Sequence, residues 1–200
     1  MTSANAMSLP EVVALLREMR RDDDVVISSM GSAREWMALG PLHERDFVFV
    51  PSAMGHATSL GLGLSLAQPE HRVIVLSGDG SLMMNLGSLI TIGAQAPRNL
   101  TVVVFENGVY EVTGAQLTPA AAGEGANVDI PAIVRGCGIS SVFHWSRIDD
   151  VRAGIDEALN ASGPTVIVLD VMPVHEARGP RSPGPTAERA RRFREALRGS

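Results

Sequence analysis

The sequence predicts an α/β fold, a three-layer sandwich in which helices cover both faces of a central, mainly parallel sheet. Two observations predict it. The strongest β-rich runs are apolar at every residue instead of alternating, which is typical of strands covered on both faces. These runs alternate with helix-like segments along almost the whole chain. Because only 4% of the residues are aromatic, we expect a core built mainly from aliphatic side chains and methionine.

The predicted elements follow one another in a regular order. Ser8-Leu9-Pro10-Glu11 has the pattern of a capping box and predicts the start of a first helix. The predicted strands are 25–28, 47–50, 72–77, 100–106, 141–145 and 165–169. The further predicted helices are 32–39, 56–67, 81–94, 129–136, 148–161 and 186–198.

Two stretches interrupt this order. Residues 114–127 are rich in Gly and Ala without periodicity, and we expect a mobile loop there. Residues 173–185 are rich in Pro, Gly and Arg and are typical of a linker. We therefore divide the chain into a domain over residues 1–175, and a linker with a peripheral basic helix over residues 176–200.

Charge and cysteine content narrow the classes of function. A formal net charge of -5 is unfavourable for a general nucleic-acid binder. The single cysteine, Cys137, excludes an internal disulfide and suits a reducing compartment. The first residues lack a signal-peptide pattern, and no apolar run approaches the ~20 residues of a membrane span. We therefore expect a cytoplasmic protein that binds neither nucleic acid nor membrane.

One acid, Asp79, stands between two glycines where a buried strand is predicted to end. Ligands bind at this edge of open parallel sheets. The next helix is predicted to begin near Ser81, and free N–H groups at a helix start favour a phosphate. Asp79 alone would repel the phosphate, but Mg²⁺ between the two makes the arrangement attractive. Taken alone, the three residues could also be an ordinary turn with a capping Asp.

The next predicted strand ends in a second oxygen ligand. Asn107 follows residues 100–106, and its side-chain carbonyl is a hard donor of the kind Mg²⁺ prefers. Gly108 permits a turn that exposes nearby backbone carbonyls. If the two strands are neighbours in the sheet, Asp79 and Asn107 converge on one cation.

Together these motifs resemble the diphosphate-binding domain of thiamine-diphosphate-dependent enzymes. Gly-Asp-Gly at 78–80, with Asn107 twenty-eight positions after Asp79, resembles the signature of that family. Pro-Ser-Ala-Met-Gly-His-Ala at 51–57 resembles the segment that the family places against the aminopyrimidine. The resemblance runs from about residue 24 to 172. Glu106 departs from the usual Asn pair, whereas Asn107 keeps the position that contacts the metal.

The resemblance implies which residues hold the metal and the diphosphate. Asp79, the Asn107 side chain and the Val109 carbonyl would bind Mg²⁺. The implied diphosphate contacts are Gly78 and the backbone N–H groups of Gly80 and Ser81.

The resemblance also implies contacts to the rest of the cofactor. Met54 would be the apolar wedge that bends it, and the Ser52 carbonyl would accept from the 4′-amino group of the aminopyrimidine. Ala53 and Tyr110 complete the implied cofactor contacts. His56 is a possible catalytic or substrate contact, with a structural role equally open.

Full-length members of this family carry a separate pyrimidine-binding domain with a catalytic Glu. Because 200 residues suffice only for the diphosphate-binding half, the resemblance implies a pyrimidine-binding alpha-type partner in a hetero-oligomer. Residues 52–69, 78–100 and 106–116 look most like the branch with the sulfopyruvate decarboxylase beta subunit and phosphonopyruvate decarboxylase. This resemblance implies decarboxylation of a small 2-oxo acid. Ser32, Arg34 and Thr113 are candidates for binding its sulfonate or phosphonate, and Thr113 also for catalysis. A carboligase of the acetolactate-synthase kind and a non-catalytic cofactor-binding or interaction domain remain alternatives.

Overall fold

A computed structural model describes residues 7–49, 54–121, 128–174 and 179–199. The strands are β1 (Met7–Ser8), β2 (Val25–Ser29), β3 (Asp46–Phe49), β4 (Val73–Gly78), β5 (Leu100–Glu106), β6 (Val109–Tyr110), β7 (Gln116–Leu117), β8 (Ser141–Trp145) and β9 (Thr165–Met172). The helices are α1 (Leu9–Glu18), α2 (Met30–Ala38), α3 (Ala57–Ala67), α4 (Asp79–Met83), α5 (Gly87–Gln95), α6 (Ile130–Gly136), α7 (Ile148–Asn160) and α8 (Thr186–Arg198), with a 3₁₀ turn at Glu111–Thr113.

Seven of the described strands form the main sheet, in the order β1-β9-β5-β4-β2-β3 with β8 also paired to β9, and β6 and β7 form a separate two-stranded sheet. Every pairing in the main sheet is parallel. Along β4, Val73 and Val75 belong to one buried cluster, whereas Ile74 and Leu76 belong to a second cluster on the opposite face. Both faces are therefore covered, which explains the uninterrupted apolar runs and confirms the predicted fold class.

The predicted helix 81–94 is wrong in its continuity, because the structure contains two helices there, α4 and α5. Asn85 lies in the turn between them and donates from Nδ2 to the Gly55 carbonyl at 3.0 Å. Gly55 has a φ of +86°, and a Cβ there would lie 2.9 Å from the Asn85 Cβ. The break thus lets this turn pack closely against the segment that precedes α3.

The predicted capping box at the start of α1 is also wrong. Ser8 is the N-cap residue, but its side chain makes no capping hydrogen bond. Glu11 instead accepts a hydrogen bond from Arg152 of α7 at 3.0 Å. Met7 and Ser8 pair with Val171 and Met172 of β9, so tertiary pairing fixes the entry to α1.

Part of the predicted mobile loop is ordered as a hairpin. β7 pairs antiparallel with β6, through a turn in which Gly114 and Ala115 have φ values of +113° and +61°. Residues 122–127 of that prediction lie outside the described residues.

Helix α8 contributes to the core. Phe193 and Leu197 are each 8% exposed and belong to the same cluster as β3 and β4 side chains. The Phe193 ring centroid lies 5.0 Å from that of Phe47. The description of α8 as peripheral therefore misses its apolar contacts, while the domain division at residue 175 stays a prediction. None of the described helices combines the length and apolar character needed to cross a membrane.

Candidate functional site

The carboxyl ends of β4 and β5 meet at one point of the sheet. The two strands are paired neighbours, with Gly78 opposite Phe105 in the register. Asp79 follows β4 at once, and its Oδ2 accepts from the Gly108 backbone N–H beyond the end of β5 at 2.9 Å. The fold thus brings Asp79 and the turn that carries Asn107 into direct contact.

Asp79 is a buried carboxylate that has no cationic partner among the residues the structure describes. Asp79 is 1% exposed, and its Oδ1 accepts a hydrogen bond from the Gly80 N–H at 2.8 Å. Within the described ranges, no Arg or His side chain bonds to it. Burial raises the pKa of Asp79 to about 6, although backbone N–H groups of Gly80, Gly108 and Asn107 oppose that increase. A cation at this point would supply the missing counter-charge.

Asn107 has its carboxamide held at both ends. Oδ1 accepts from the Val109 N–H at 3.0 Å, and Nδ2 donates to Glu111 Oε1 at 2.9 Å. The residue is 8% exposed. Asp79, Asn107 and Val109 all line one cavity at the carboxyl edge of the sheet, so the three implied metal ligands are brought together.

The glycines on either side of Asp79 differ in their surroundings. A Cβ at Gly80 would lie 2.5 Å from Cε1 of Tyr110, so the Tyr110 ring packs directly on the Gly80 backbone. Gly78 has an ordinary φ of -83°, and a Cβ there would meet no described atom within 4 Å. The packing of the described residues therefore accounts for glycine at 80 but leaves glycine at 78 without a reason.

The helix after β4 begins at Asp79 and not, as predicted, at Ser81. The Gly80 N–H donates to Asp79 Oδ1 at 2.8 Å, and the diphosphate contacts of Gly78, Gly80 and Ser81 stay predictions. α4 has five residues, which reduces the dipole that a longer helix would offer to a phosphate. The Ser81 Oγ accepts from the Gly55 N–H at 2.9 Å and so ties α4 to the segment before α3.

The implied contacts to the aminopyrimidine side are only partly described. Ser52 and Ala53 lie outside the described residues. Met54 is half-buried and lines the cavity. His56 is exposed, and its Nδ1 lies 3.2 Å from the Met54 carbonyl, which is a local contact at the start of α3.

The three candidates for an anionic substrate group are engaged within the chain. Ser32 Oγ donates to the Ser29 carbonyl at 2.7 Å, and Arg34 Nε donates to the Gly179 carbonyl at 3.0 Å. Thr113 is exposed and donates to Gln116 Oε1 at 2.7 Å. Ser32 and Thr113 line the cavity, whereas Arg34 is not among the described lining residues.

Comparisons with known proteins decide the family. The family model described as thiamine pyrophosphate enzyme, C-terminal TPP binding domain, matches residues 29–169. The chain belongs to this family.

Individual relatives agree with that assignment. The chain is 39% identical to a phosphonopyruvate decarboxylase of Streptomyces viridochromogenes over 96% of its own length, but it spans only 47% of that relative. It is 34% identical to a sulfopyruvate decarboxylase subunit beta of Methanocaldococcus jannaschii, covering 83% of this chain and 85% of that one. The solved structure of a Rhodococcus jostii thiamine diphosphate-dependent 4-hydroxybenzoylformate decarboxylase matches with a TM-score of 0.73. At 18% identity, over 88% of this chain and 34% of that one, this match shows the fold alone.

Three features of the site fit thiamine diphosphate, the cofactor of this family. No described residue gives Asp79 a counter-charge, and the open position beside Gly78 leaves backbone accessible to a ligand. Thr118 is 0% exposed, its Oγ1 has no hydrogen-bond partner among the described residues, and its methyl group lies against Gly80. These are the surroundings that a cation and an anionic group would complete. When bound, this cofactor would supply carbanion stabilisation.

The prediction of site residues missed a polar cluster beside Asp79. His144 of β8 bonds through Nε2 to Asp170 Oδ1 of β9 at 2.7 Å, and Glu106 lies opposite Asp170 in the register. Burial, then the charges of Asp170 and Asp79, raise the pKa of Glu106 to about 7. The hydrogen bond to Asp170 raises the pKa of His144. The cluster could be found only from the strand order, which the sequence does not contain.

Proposed function

We propose that the chain is the thiamine-diphosphate- and Mg²⁺-binding subunit of a 2-oxo acid decarboxylase. Asp79, the Asn107 side chain and the Val109 carbonyl hold the cation, which neutralises the diphosphate. The single observation that carries the proposal is the buried, uncompensated carboxylate of Asp79 beside Asn107 at adjoining strand ends. The pKa of an Asp that only caps a helix would not be raised by burial as the pKa of Asp79 is.

We further propose that a partner subunit of the pyrimidine-binding type completes the site and supplies the catalytic Glu. The similarity over most of the length of a protein named subunit beta supports this division. The described cavity-lining residues include two acids, Asp79 and Glu111, but no basic side chain. We assign a cation that recognises an acidic substrate group to the partner's side of the cavity.

Sulfopyruvate or phosphonopyruvate is the proposed substrate. Both names come from relatives that are 34% and 39% identical to this chain. Each compound is a 2-oxo acid with a second strongly anionic group. With a partner that supplies a cation, the site would bind this group away from Asp79 and Glu111.

Cofactor binding is tested by calorimetric titration of the complex with thiamine diphosphate in the presence of Mg²⁺. Asp79→Ala should abolish the Mg²⁺-dependent part of the binding, because the carboxylate is the charged ligand of the proposed set. Asp149→Ala, which removes an exposed acid on α7, is the matched control and should bind as the unsubstituted chain does. Equal affinity of Asp79→Ala and the unsubstituted protein would refute the site.

The reaction is tested by incubating the chain, with and without its partner, with a panel of 2-oxo acids. We expect CO₂ release from sulfopyruvate or phosphonopyruvate with the partner present, and little turnover by the chain alone. Formation of acetolactate from pyruvate as the preferred reaction would favour a carboligase instead. Cofactor binding without turnover of any 2-oxo acid would favour a non-catalytic domain.

A further inference from the structure

Glu111 lies where three segments around the candidate cation site meet. It begins the 3₁₀ turn after β6 and lines the same cavity as Asp79 and Asn107. Its Oε1 accepts from Asn107 Nδ2 at 2.9 Å and from the Val174 backbone N–H, beyond the end of β9, at 2.7 Å. A single carboxylate oxygen therefore connects the turn after β5 with the segment that follows β9.

The other carboxylate oxygen lies against the start of α2. A Cβ at Gly31 would lie 2.7 Å from Glu111 Oε2, so a side chain at position 31 would displace the carboxylate. Glycine at this position gives Glu111 the space in which it reaches Asn107.

The contact with Glu111 determines which end of the Asn107 carboxamide faces which neighbour. An ionised carboxylate only accepts hydrogen bonds, so it must face the NH₂ end of an amide. Oδ1 is then turned to the opposite side, where the Val109 N–H donates to it at 3.0 Å. Because a carbonyl oxygen has two lone pairs, Oδ1 keeps one of them for a cation. With the amide reversed, an NH₂ group would face the cation and repel it.

We propose that Glu111 is a positioning residue that fixes the Asn107 carboxamide with Oδ1 available to the divalent cation. The inference rests on the proposed function and adds to it a residue that does not itself touch the metal. Substitution of a partner that orients a metal ligand in this way typically costs about 10- to 100-fold in metal affinity or activity.

The test measures Mn²⁺ affinity, by electron paramagnetic resonance of the free ion, for the chain with its partner and thiamine diphosphate. Glu111→Ala should weaken Mn²⁺ binding by about 10- to 100-fold. Glu111→Gln should remain close to the unsubstituted protein, because its side-chain oxygen can accept from the same two donors. Glu157→Ala, which removes an exposed glutamate of α7 outside the cavity, is the matched control.

The same substitution of Glu111 in an Asn107→Asp background separates two roles of Glu111: orienting the Asn107 amide and supporting the fold in general. In Asn107→Asp both side-chain oxygens are acceptors, so there is no amide orientation to fix. Glu111→Ala should then leave Mn²⁺ affinity unchanged or improve it, because a like charge is removed. If Glu111 acted only by supporting Val174, the substitution would weaken binding in both backgrounds.

The outcomes distinguish the two levels of the proposal. Equal losses in both backgrounds, or no loss in Glu111→Ala while the unsubstituted complex binds Mn²⁺, would overturn the positioning role and leave the proposed function standing. A failure of the unsubstituted complex to bind Mn²⁺ would overturn the proposed function, and this inference with it.

Discussion

The two ends of the parallel strands differ in whether their buried acids are paired with guanidinium groups. At the amino end, Asp24 is 0% exposed and accepts from Arg72 Nε at 2.8 Å. Asp46, which begins β3, is paired with Arg17 Nη1 at 3.1 Å and with Arg20 Nε at 2.9 Å. Each carboxylate is thus neutralised by guanidinium groups of the same chain.

At the carboxyl end, the acids have no such partners among the described residues. Asp79 receives only backbone N–H groups, and Glu106 lies half-buried beside Asp170. Burying a charge without compensation is costly, so a fold that keeps one has a reason outside its own packing. The contrast indicates that the amino end stabilises the fold, whereas the carboxyl end is arranged for a ligand.

The largest expected effect is a difference in the free energy of unfolding between one substitution at the amino end and one at the carboxyl end. Asp24→Asn should lower the free energy of unfolding by roughly 3 kcal/mol, because it leaves the mostly buried Arg72 uncompensated. Asp79→Asn should change it by only about 1 kcal/mol in metal-free protein, since removal of a buried charge offsets the loss of one acceptor. Urea unfolding of both variants in EDTA measures the difference. Equal destabilisation by the two substitutions would remove the distinction between the ends.

The pH dependence of stability is the next effect in size. The fold raises the pKa of Asp79 from its ordinary value of 3.8 to about 6, so the folded state favours the protonated acid. In metal-free protein the free energy of unfolding should therefore fall as pH rises from about 4 to 7, by up to about 3 kcal/mol from this group. Mg²⁺ requires the charged form, so its affinity should rise with pH through about 6.

Glu106 contributes to the same trend with the same sign, because its pKa is also raised, to about 7. The share of Asp79 is obtained by difference from Asp79→Asn, in urea unfolding at pH 5 and pH 7.5 with EDTA. Asp79 would not be the buried acid responsible if the metal-free protein became more stable between pH 5 and pH 7.5. The same would follow if Asp79→Asn lost as much stability over this range as the unsubstituted protein.

A smaller effect separates the two glycines beside Asp79. Gly80→Ala should destabilise the metal-free protein by about 1–3 kcal/mol, because the new methyl group overlaps the Tyr110 ring. Gly78→Ala should leave that stability nearly unchanged but weaken binding of thiamine diphosphate, because its methyl group projects into open space at the cavity. Gly63→Ala in α3, where a Cβ also meets nothing within 4 Å, is the control for a harmless substitution. Equal cofactor affinity in Gly78→Ala and Gly63→Ala would contradict the role given to Gly78.

Local signals in the sequence predicted β2, β3, β4, β5, β8 and β9, but not the short strands β1, β6 and β7. They also placed Asp79 and Asn107 at strand ends, whereas the convergence of the two residues depended on the pairing of β4 with β5, which the structure supplies. Apolar runs covered on both faces identify parallel strands, and the acid between glycines identifies the strand end that a ligand meets. The arrangement of Glu106, His144 and Asp170 depends on the neighbours of β9, which no local pattern contains. The turn at Asn85 and the docking of Phe193 on Phe47 are likewise tertiary contacts that override helix periodicity and charge.

The smallest effect concerns His144, which forms a cluster with Glu106 and Asp170 among the described residues. Its pKa is raised chiefly by the hydrogen bond to Asp170, so this contribution to stability is present below pH ~6.5 and is lost as pH rises through the folded pKa. Because the His144 side chain is 44% exposed, we expect less than about 1 kcal/mol.

The pKa of His144 is measured by NMR, and Asp170→Asn should return it toward the ordinary value for histidine. Asp149→Asn, an exposed acid on α7, should leave the titration unchanged. If Asp170→Asn had no effect, the carboxyl end would lack even this partial compensation, and the contrast between the two ends of the sheet would be sharper. A large loss of stability in that variant would instead mean that the carboxyl end also relies on its own ion pairs.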